Sequence, residues 1–178
     1  TEEKSRIARA AAELIDDGAT VMLNAGTTTA EIARYLLGKQ NISLVTNSSL
    51  AIPYCRTNPQ LQLTLIGGEF RPSAESFVGP AAVEFLRRFR VDVAFLGTDG
   101  FSIESGLSNQ LVEGAEIVRT MAGQADRVVL VADSTKWERR GFVQALELKQ
   151  VDQIVTDSEL PGAAQSQLKE FGIELVIA

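Results

Sequence analysis

One segment near the N-terminus, Gly18-Ala-Thr-Val-Met-Leu-Asn-Ala-Gly-Thr-Thr-Thr29, sets a pattern that the rest of the chain repeats. Residues 19–23 form a short apolar run with strand propensity, and from about Thr28 the apolar spacing becomes that of a helix. Residues 24–27 lie between the two patterns. They therefore predict a tight connection from a strand into a helix.

This predicted turn has the features of an anion site. Gly26 carries no Cβ, so a ligand can approach the backbone closely. The first amides of the following helix lack intrahelical acceptors, and the helix dipole adds positive charge at that end. Thr27, Thr28 and Thr29 add three hydroxyl groups that can donate to phosphate oxygens. A structural alternative stays open, because Thr28 and Glu31 have the spacing of a capping box, which needs no ligand.

The composition is that of one domain with a sizeable core, since the 178 residues are 45% hydrophobic and 22% charged. No apolar run approaches the roughly 20 residues that span a bilayer, and no signal peptide opens the chain. The single Cys55 permits no internal disulfide and is interpreted as a packed structural thiol. We therefore expect a cytoplasmic protein without a membrane partner.

Missing residue types exclude several classes of site. The chain contains no His, which excludes Ser-His-Asp and Cys-His catalysis and the usual zinc sites, and we expect neither a metal nor a cofactor. A formal charge of −6 argues against DNA binding by this chain alone. The sequence starts inside a predicted helix, which leaves room for a missing N-terminal part.

Apolar runs alternate with helical patterns along the whole chain. The predicted strands cover residues 19–23, 42–46, 61–66, 91–96, 127–132, 151–155 and 174–177. Predicted helices cover residues 2–16, 29–37, 111–123 and 161–171, with others after residues 47–49 and from Pro80. Residues 69–79 are expected as a loop or irregular hairpin, and residues 100–110 as a polar loop. This alternation predicts an α/β fold, with an open mostly parallel sheet and helices on both faces.

Small or polar residues follow five successive predicted strands. They are Asn24 and Gly26, Thr46 and Asn47, Gly67 and Gly68, Gly97 to Asp99, and Asp133 with Lys136. In an open parallel sheet the carboxyl ends of the strands share one edge, where ligands bind. Ordinary turn chemistry explains part of this pattern, but five consecutive cases favour a polar ligand crevice.

Together these motifs resemble the C-terminal sensor domain of DeoR-family bacterial transcriptional regulators. The motifs are residues 17–29, Val45-Thr-Asn47, Ile66-Gly-Gly68, Phe95-Leu-Gly-Thr-Asp-Gly100 and Val131-Ala-Asp-Ser-Thr-Lys136, in the family's order over essentially all of the chain. The resemblance implies a fold related to ribose-5-phosphate isomerase and coenzyme A transferases, with one sensor domain over residues 1–178. It also implies a repressor of sugar or polyol catabolism, a phosphorylated sugar effector, a homo-oligomer (dimer or tetramer) and an absent winged helix-turn-helix domain that binds DNA.

The resemblance also assigns roles to residues. The threonine turn becomes a phosphate cradle, Asp99 accepts from sugar hydroxyls, and Lys136 supplies a compact positive charge, although a surface Lys near a helix start is its alternative. Glu113 and Glu116 lie on one helix face, for which solvation is the plainer interpretation. The expected ligand residues are Asn24, Gly26, Thr27, Thr28, Thr29, Asn47, Gly68, Asp99 and Lys136, with Arg71, Glu113 and Glu116 as weaker candidates.

A sugar-phosphate isomerase is the alternative function. Such an enzyme needs a carboxylate that moves a proton between adjacent carbons and groups that stabilise the enediolate oxygens. Asp99, Lys136 and one of Glu113 or Glu116 could fill those roles. The isomerases that resemble this fold carry Asp-Gly-Ala-Asp-Glu where this chain has Leu96-Gly-Thr-Asp-Gly100. A coenzyme A transferase would need a glutamate nucleophile at a strand end, and no predicted strand ends in Glu. We therefore expect a sensor without catalytic residues.

Two further expectations concern how a signal leaves the domain. The exposed face of the helix over residues 2–16 is expected to transmit the change to the DNA-binding part. The apolar residues Phe101, Ile103, Phe142 and Val143 are candidates for subunit contacts, although core packing explains them equally well.

Overall fold

The computed structural model describes residues 1–178. The helices are α1 (Glu2–Glu13), α2 (Thr27–Arg34), α3 (Ile52–Arg56), α4 (Pro80–Leu86), α5 (Val112–Gly123) and α6 (Gly162–Glu170). The strands are β1 (Thr20–Leu23), β2 (Ile42–Thr46), β3 (Leu61–Leu65), β4 (Glu69–Arg71), β5 (Ser76–Val78), β6 (Val91–Leu96), β7 (Gly100–Ser102), β8 (Gly106–Asn109), β9 (Ala125–Val131), β10 (Val143–Leu146), β11 (Gln153–Thr156) and β12 (Glu174–Ile177).

Seven strands form one open parallel sheet in the order β12-β11-β9-β6-β1-β2-β3. The order reverses between β1 and β6, because the chain winds outward from β1 to β3 on one side and from β6 to β12 on the other. In doubly wound sheets, ligands bind beyond the strand carboxyl ends at this reversal. The expected open, mostly parallel α/β sheet is confirmed.

Each face of the sheet is covered by helices through its own apolar core. On β6, Val93 and Phe95 point to the core under α1 and α2, whereas Ala94 and Leu96 point to the core under α4, α5 and α6. This alternation follows from the two-residue period of a strand. Because both faces are buried, the strands need apolar residues at nearly every position, which explains their aliphatic sequences.

Two small antiparallel sheets stand beside the main one. The first is the β4–β5 hairpin, in agreement with the irregular hairpin expected there. The second joins β7 and β8 to β10. The prediction of a polar loop over residues 100–110 was therefore wrong, because β8 pairs with a strand more than thirty residues later in the sequence.

The apolar residues near this second sheet divide between the core and the surface. Phe101 is fully buried and packs edge-on against Trp137, with ring centroids 5.3 Å apart, so the subunit-contact interpretation of Phe101 was wrong. Phe142 is 81% exposed. Ile103 and Val143 are partly buried against the core. Of the four candidates, Phe142 is the most exposed.

Cys55 lies in α3 and is partly buried against the core under α1 and α2. Burial raises the pKa of its thiol to about 11. The thiol is therefore protonated near neutral pH, which agrees with a packing role, since only the thiolate is a strong nucleophile. None of the helices combines the length and apolar character that crossing a membrane requires.

The first residue of β8, Gly106, must be a glycine. Gly106 has a φ of +62°, and a Cβ there would lie 2.0 Å from the carbonyl oxygen of Leu146. We expect Gly106→Ala to lower the free energy of unfolding by more than about 2 kcal/mol, because the backbone of β10 must move away. Urea denaturation measures this change.

Gly123→Ala is the matched control for that substitution. Gly123 ends α5, and a Cβ at this position meets no atom within 4 Å. We expect Gly123→Ala to be neutral or to stabilise by up to about 1 kcal/mol, because alanine favours helices. Equal stability of Gly106→Ala and the wild type would contradict the described packing of β8 against β10.

Candidate functional site

A crevice lies at the carboxyl ends of β1 and β6, where the strand order reverses. It has two lobes. The threonine lobe, of about 190 Å³, is lined by residues 25–29 and 97–99 together with Lys4 and Lys136. The asparagine lobe, of about 280 Å³, is lined mainly by polar residues that include Asn24, Asn47, Arg71, Asn109 and Glu113. Ala25, Asp99 and Asn109 line both lobes.

The threonine lobe is built around the first turn of α2. Gly26 is the N-cap, with φ 158° and ψ 156°, a combination that is open in practice only to glycine. The first intrahelical bond runs from the amide of Ala30 to the carbonyl of Gly26. The amides of residues 27–29 therefore have no acceptor within the protein, as expected of the first turn of a helix.

The capping-box alternative for Thr28 was wrong. The helix starts two residues earlier than that motif requires, and its N-cap Gly26 has no side chain that could accept a hydrogen bond. Glu31 instead accepts from the Ser5 hydroxyl of α1 at 2.9 Å. Nothing within the chain thus occupies the amides at the start of α2.

The three threonine hydroxyls differ in what they can offer. Thr29 is fully buried, and its hydroxyl donates to the carbonyl of Asn24 at 2.8 Å. The expectation that this hydroxyl can donate to phosphate was therefore wrong for the arrangement observed. The Thr28 hydroxyl has no partner within the protein, and the Thr27 hydroxyl accepts from Lys4 at 3.3 Å. Thr27 and Thr28 are therefore the two threonines of this lobe whose hydroxyls do not already donate to a group of the protein.

Two lysines from distant parts of the chain line this lobe. Lys136 belongs to a 3-10 turn, Ser134–Lys136, that follows β9. Lys4 belongs to α1, and its ammonium group reaches the Thr27 hydroxyl. Neither lysine forms a salt bridge with a carboxylate. Two unpaired ammonium groups therefore lie beside the free amides of α2.

Two aspartates hold the turn that carries Lys136. Asp133 caps the turn by accepting from the amide of Thr135 at 3.0 Å. Asp157, which follows β11 and is 1% exposed, accepts from the amides of Ser134 at 2.8 Å and Glu159 at 2.9 Å. Burial acts to raise the pKa of Asp157, but these hydrogen bonds outweigh it and lower the pKa. Asp157 is thus a buried carboxylate that fixes the position of this turn.

Asn24 joins the two strands at the reversal of the sheet. Its side-chain oxygen accepts from the amide of Gly97 at 2.8 Å, and its side-chain nitrogen donates to the carbonyl of Gly97 at 3.1 Å. Asn24 is 5% exposed. Its side chain therefore holds the floor of the crevice in place by linking the ends of β1 and β6.

In the asparagine lobe, Asn47 is 2% exposed and donates to the carbonyl of Phe77 in β5 at 2.9 Å. Its side-chain oxygen is buried and has no donor. Arg71 contacts Glu113 at 2.8 Å, so two of the weaker candidates form an ion pair. The hydrogen bond between them raises the pKa of Arg71 and lowers that of Glu113, and the opposite charges add to both shifts.

Asp99 and Asn109 lie at the junction of the lobes. One carboxylate oxygen of Asp99 accepts from the amide of Gln110 at 2.8 Å, and the other oxygen has no partner within the protein. The side-chain oxygen of Asn109 is buried without a donor. A ligand that spans both lobes would therefore lie beside both of these residues.

Two sequence candidates lie outside both lobes. Gly68 lines neither lobe, and a Cβ there would lie 2.6 Å from the carbonyl oxygen of Val78. The close approach of β5 to this position thus explains why residue 68 is a glycine. Glu116 is exposed on α5 and lies beside Arg119 and Thr120 in a separate shallow depression. The two glutamates of α5 therefore do not act at one place.

The structure adds three residues that the sequence analysis did not assign to the site. Lys4 reaches the threonine turn because α1 packs across α2, and no local motif marks that contact. Asn109 and Asp157 follow or end strands, so the strand-end pattern could have found them once β8 and β11 were placed correctly.

Comparisons with known proteins support one family. The family model described as "DeoR C terminal sensor domain" matches residues 1–158. The transcriptional regulator GlpR of Haloferax volcanii is 38% identical over 176 residues, which are 98% of this chain and 68% of that protein. The glycerol-3-phosphate regulon repressor of Escherichia coli K12 is 31% identical over 175 residues, 98% of this chain and 69% of that protein. The chain thus spans about two thirds of these relatives.

Solved structures give the same fold at low sequence identity. A probable sor operon regulator from Shigella flexneri has a TM-score of 0.58 and 14% identity, over 89% of this chain and 85% of that chain. Ribose 5-phosphate isomerase from Plasmodium falciparum has a TM-score of 0.54 and 15% identity, over 78% of this chain and 54% of that chain. The expected relation of the fold to ribose-5-phosphate isomerase is confirmed.

The lowered pKa of Asp157 makes stability depend on pH. Its ionised form is stabilised in the folded state, so this contribution is complete above about pH 4 and is lost as the pH falls through the lowered folded pKa. We expect Asp157→Asn to lower the free energy of unfolding by about 1–2 kcal/mol at pH 7 and by less at pH 3. Urea denaturation at both values tests this.

Asp16→Asn is the matched control, because Asp16 is exposed and its carboxylate accepts no hydrogen bond. We expect its effect to stay within about 0.5 kcal/mol at both pH values. A loss for Asp157→Asn that is the same at pH 3 and pH 7 would show that the ionised carboxylate does not hold the Lys136 turn.

Proposed function

The chain belongs to the DeoR C-terminal sensor domain family, and from that premise we propose that its crevice binds a phosphorylated sugar or sugar derivative, the effector of a transcriptional repressor. The observation that carries this proposal is the threonine lobe, where the free amides of residues 27–29 lie beside Lys4 and Lys136. Backbone amides at a helix N-terminus bind phosphate well, because both the donors and the helix dipole point at it.

The distribution of charge supports phosphate as the group bound in the threonine lobe. The whole chain carries a formal charge of −6, yet both lysines of this lobe lack carboxylate partners. An unpaired ammonium group beside free amides favours a compact dianion. Asp99 and Asp133 also line the lobe. The carboxylate of Asp133 caps the turn, and one oxygen of Asp99 accepts from the amide of Gln110.

The names of two proteins similar to this chain agree with the proposal. The Escherichia coli relative is named a repressor of the glycerol-3-phosphate regulon, and the Shigella flexneri structure is named a regulator of the sor operon. We infer an effector of related chemistry for this chain. The binding partner is thus a small phosphorylated metabolite, and no cofactor is required.

We further propose that the sensor acts on DNA through a winged helix-turn-helix domain outside these residues and within a homo-oligomer. Such regulators contact operators as symmetric assemblies. The effector can change DNA binding only if its affinity differs between two arrangements of the protein. Lys4 offers a direct link, because a phosphate held by this side chain would also restrain α1 against α2. The exposed face of α1 would then carry the change onward.

We propose that the domain is not an enzyme. Asp99 and Glu113 both line the asparagine lobe, but Glu113 is paired with Arg71, and Glu116 lies outside the crevice. The lowered pKa of Glu113 makes it a weaker base near neutral pH. The likeness to isomerase structures concerns the fold alone.

Thermal-shift measurements with phosphorylated C3 to C6 metabolites test effector binding. A ligand at a hundredfold excess over its Kd stabilises the folded state by about 2.7 kcal/mol, which raises Tm by about 5–10 °C for a chain of this size. We expect such a rise with one or more phosphorylated sugars and none with the matching free sugars. Equal stabilisation by sugars with and without phosphate would contradict the proposal.

Substitutions in the threonine lobe locate the phosphate. We expect Lys4→Met and Lys136→Met each to weaken binding of that ligand by about tenfold or more, because each removes a charged partner of the phosphate. Lys169→Met, at an exposed lysine of α6, is the matched control and should bind normally. Calorimetric titration measures the affinities, and unchanged binding in both lobe variants would place the phosphate elsewhere.

The isomerase alternative has its own test. We expect no conversion of ribose 5-phosphate when the domain is incubated with it, as followed by a coupled ketose assay. Turnover by the wild type that is abolished by Asp99→Asn would overturn the sensor proposal in favour of an enzyme.

A further inference from the structure

The asparagine lobe has a chemistry opposite to that of the threonine lobe. We propose that it selects an uncharged end rich in hydrogen-bond donors, so that the effector carries one phosphate only and hydroxyl or N–H groups at its far end. This inference rests on the proposed function, since it takes the threonine lobe as the place of the phosphate. It excludes bisphosphates and phosphorylated carboxylic acids as effectors.

The first argument is the buried oxygen of Asn47. The side chain is 2% exposed, and its nitrogen donates to the carbonyl of Phe77, which fixes which end of the amide is the oxygen. That oxygen has no donor within the protein. Leaving a buried acceptor unpaired is costly, so a ligand that supplies a donor is strongly favoured over one that does not.

The junction of the lobes offers further hydrogen-bonding capacity. The Asn109 side chain makes no hydrogen bond within the protein, and its oxygen is buried. One oxygen of the Asp99 carboxylate is also free. Hydroxyl groups can donate to all of these oxygens, whereas a phosphate or carboxylate cannot donate when it is ionised.

The charge of the asparagine lobe argues against a second anion. Arg71 is the one cationic side chain that lines it, and Glu113 and Asp99 are the two carboxylates. Arg71 contacts Glu113 at 2.8 Å and lies 3.9 Å from Glu69. An anion would have to displace Glu113 from Arg71 and also approach Asp99. Asp99 and Asp133 also line the threonine lobe, but neither of them forms a salt bridge with Lys4 or Lys136, so an anion there displaces no carboxylate from a cation.

Calorimetric titration with defined probes tests this selectivity. The hydroxylated monophosphates are fructose 6-phosphate, sorbitol 6-phosphate, ribose 5-phosphate and glycerol 3-phosphate. The comparison probes are inorganic phosphate, butyl phosphate, 3-phosphoglycerate and fructose 1,6-bisphosphate. We expect at least one hydroxylated monophosphate to bind about tenfold or more tightly than every comparison probe. Butyl phosphate and inorganic phosphate bring no sugar hydroxyl to the buried acceptors, and 3-phosphoglycerate and the bisphosphate bring a second anionic group to the asparagine lobe.

Variants then assign that selectivity to the lobe. We expect Asn47→Leu and Asn109→Leu each to lower the affinity for the tightest-binding hydroxylated monophosphate by about tenfold. The affinity for butyl phosphate should change by less than about twofold. If Asn47→Leu fails to fold, Asn109→Leu alone tests the inference, because the Asn109 side chain makes no hydrogen bond within the protein whose loss could destabilise the fold. Gln62→Leu, at an exposed amide on β3, is the matched control.

A Glu113→Gln variant tests the role of the ion pair. Removing the carboxylate charge frees Arg71, so we expect the affinity for fructose 1,6-bisphosphate to rise about fivefold relative to the monophosphates. No gain for the bisphosphate would contradict the assigned role of Glu113.

The outcomes separate this inference from the proposed function. Butyl phosphate, 3-phosphoglycerate or the bisphosphate binding as tightly as the best hydroxylated monophosphate would overturn the inference alone, since phosphate would still be recognised. Failure of every probe to bind, inorganic phosphate included, would overturn the proposed function and this inference with it.

Discussion

Three backbone amides without acceptors, at the first turn of α2, are the constraint on which the site depends. The fold determines the position of these amides, because α2 follows β1 and the strand order reverses between β1 and β6. Asn24 ties the ends of these two strands together, and Gly26 provides the backbone conformation that starts the helix. Unpaired donors are thereby concentrated at the carboxyl-terminal edge of the sheet, at the reversal of strand order.

Two lobes of unlike chemistry extend from this point. The threonine lobe joins amides and ammonium groups, and the asparagine lobe joins buried acceptors with an arginine already neutralised by a glutamate. A ligand that bridges the lobes must therefore be anionic at one end and rich in donors at the other. Lys4 belongs to α1 and donates to Thr27 of α2, so a phosphate bound by Lys4 would also contact α1 and could pass the effect of binding to that helix.

Much of this could be predicted from the sequence, because strand periodicity and the turn residues at strand ends are local signals. The mostly parallel direction of the strands followed from their alternation with helices, and Asp99 and Lys136 line the crevice. Local signals failed where distant segments meet. The pairing of β8 with β10, the approach of Lys4 to Thr27, and the close contact of Gly68 with Val78 all depend on tertiary packing.

The central claim is that a phosphate group is held by the start of α2 between Lys4 and Lys136. A crystal structure of the domain with its tightest phosphorylated ligand tests this most directly, through the position of the phosphorus atom. The account predicts phosphate oxygens about 2.7–3.2 Å from the amide nitrogens of residues 27–29. A phosphate found in the asparagine lobe beside Arg71, or outside the crevice, would contradict it.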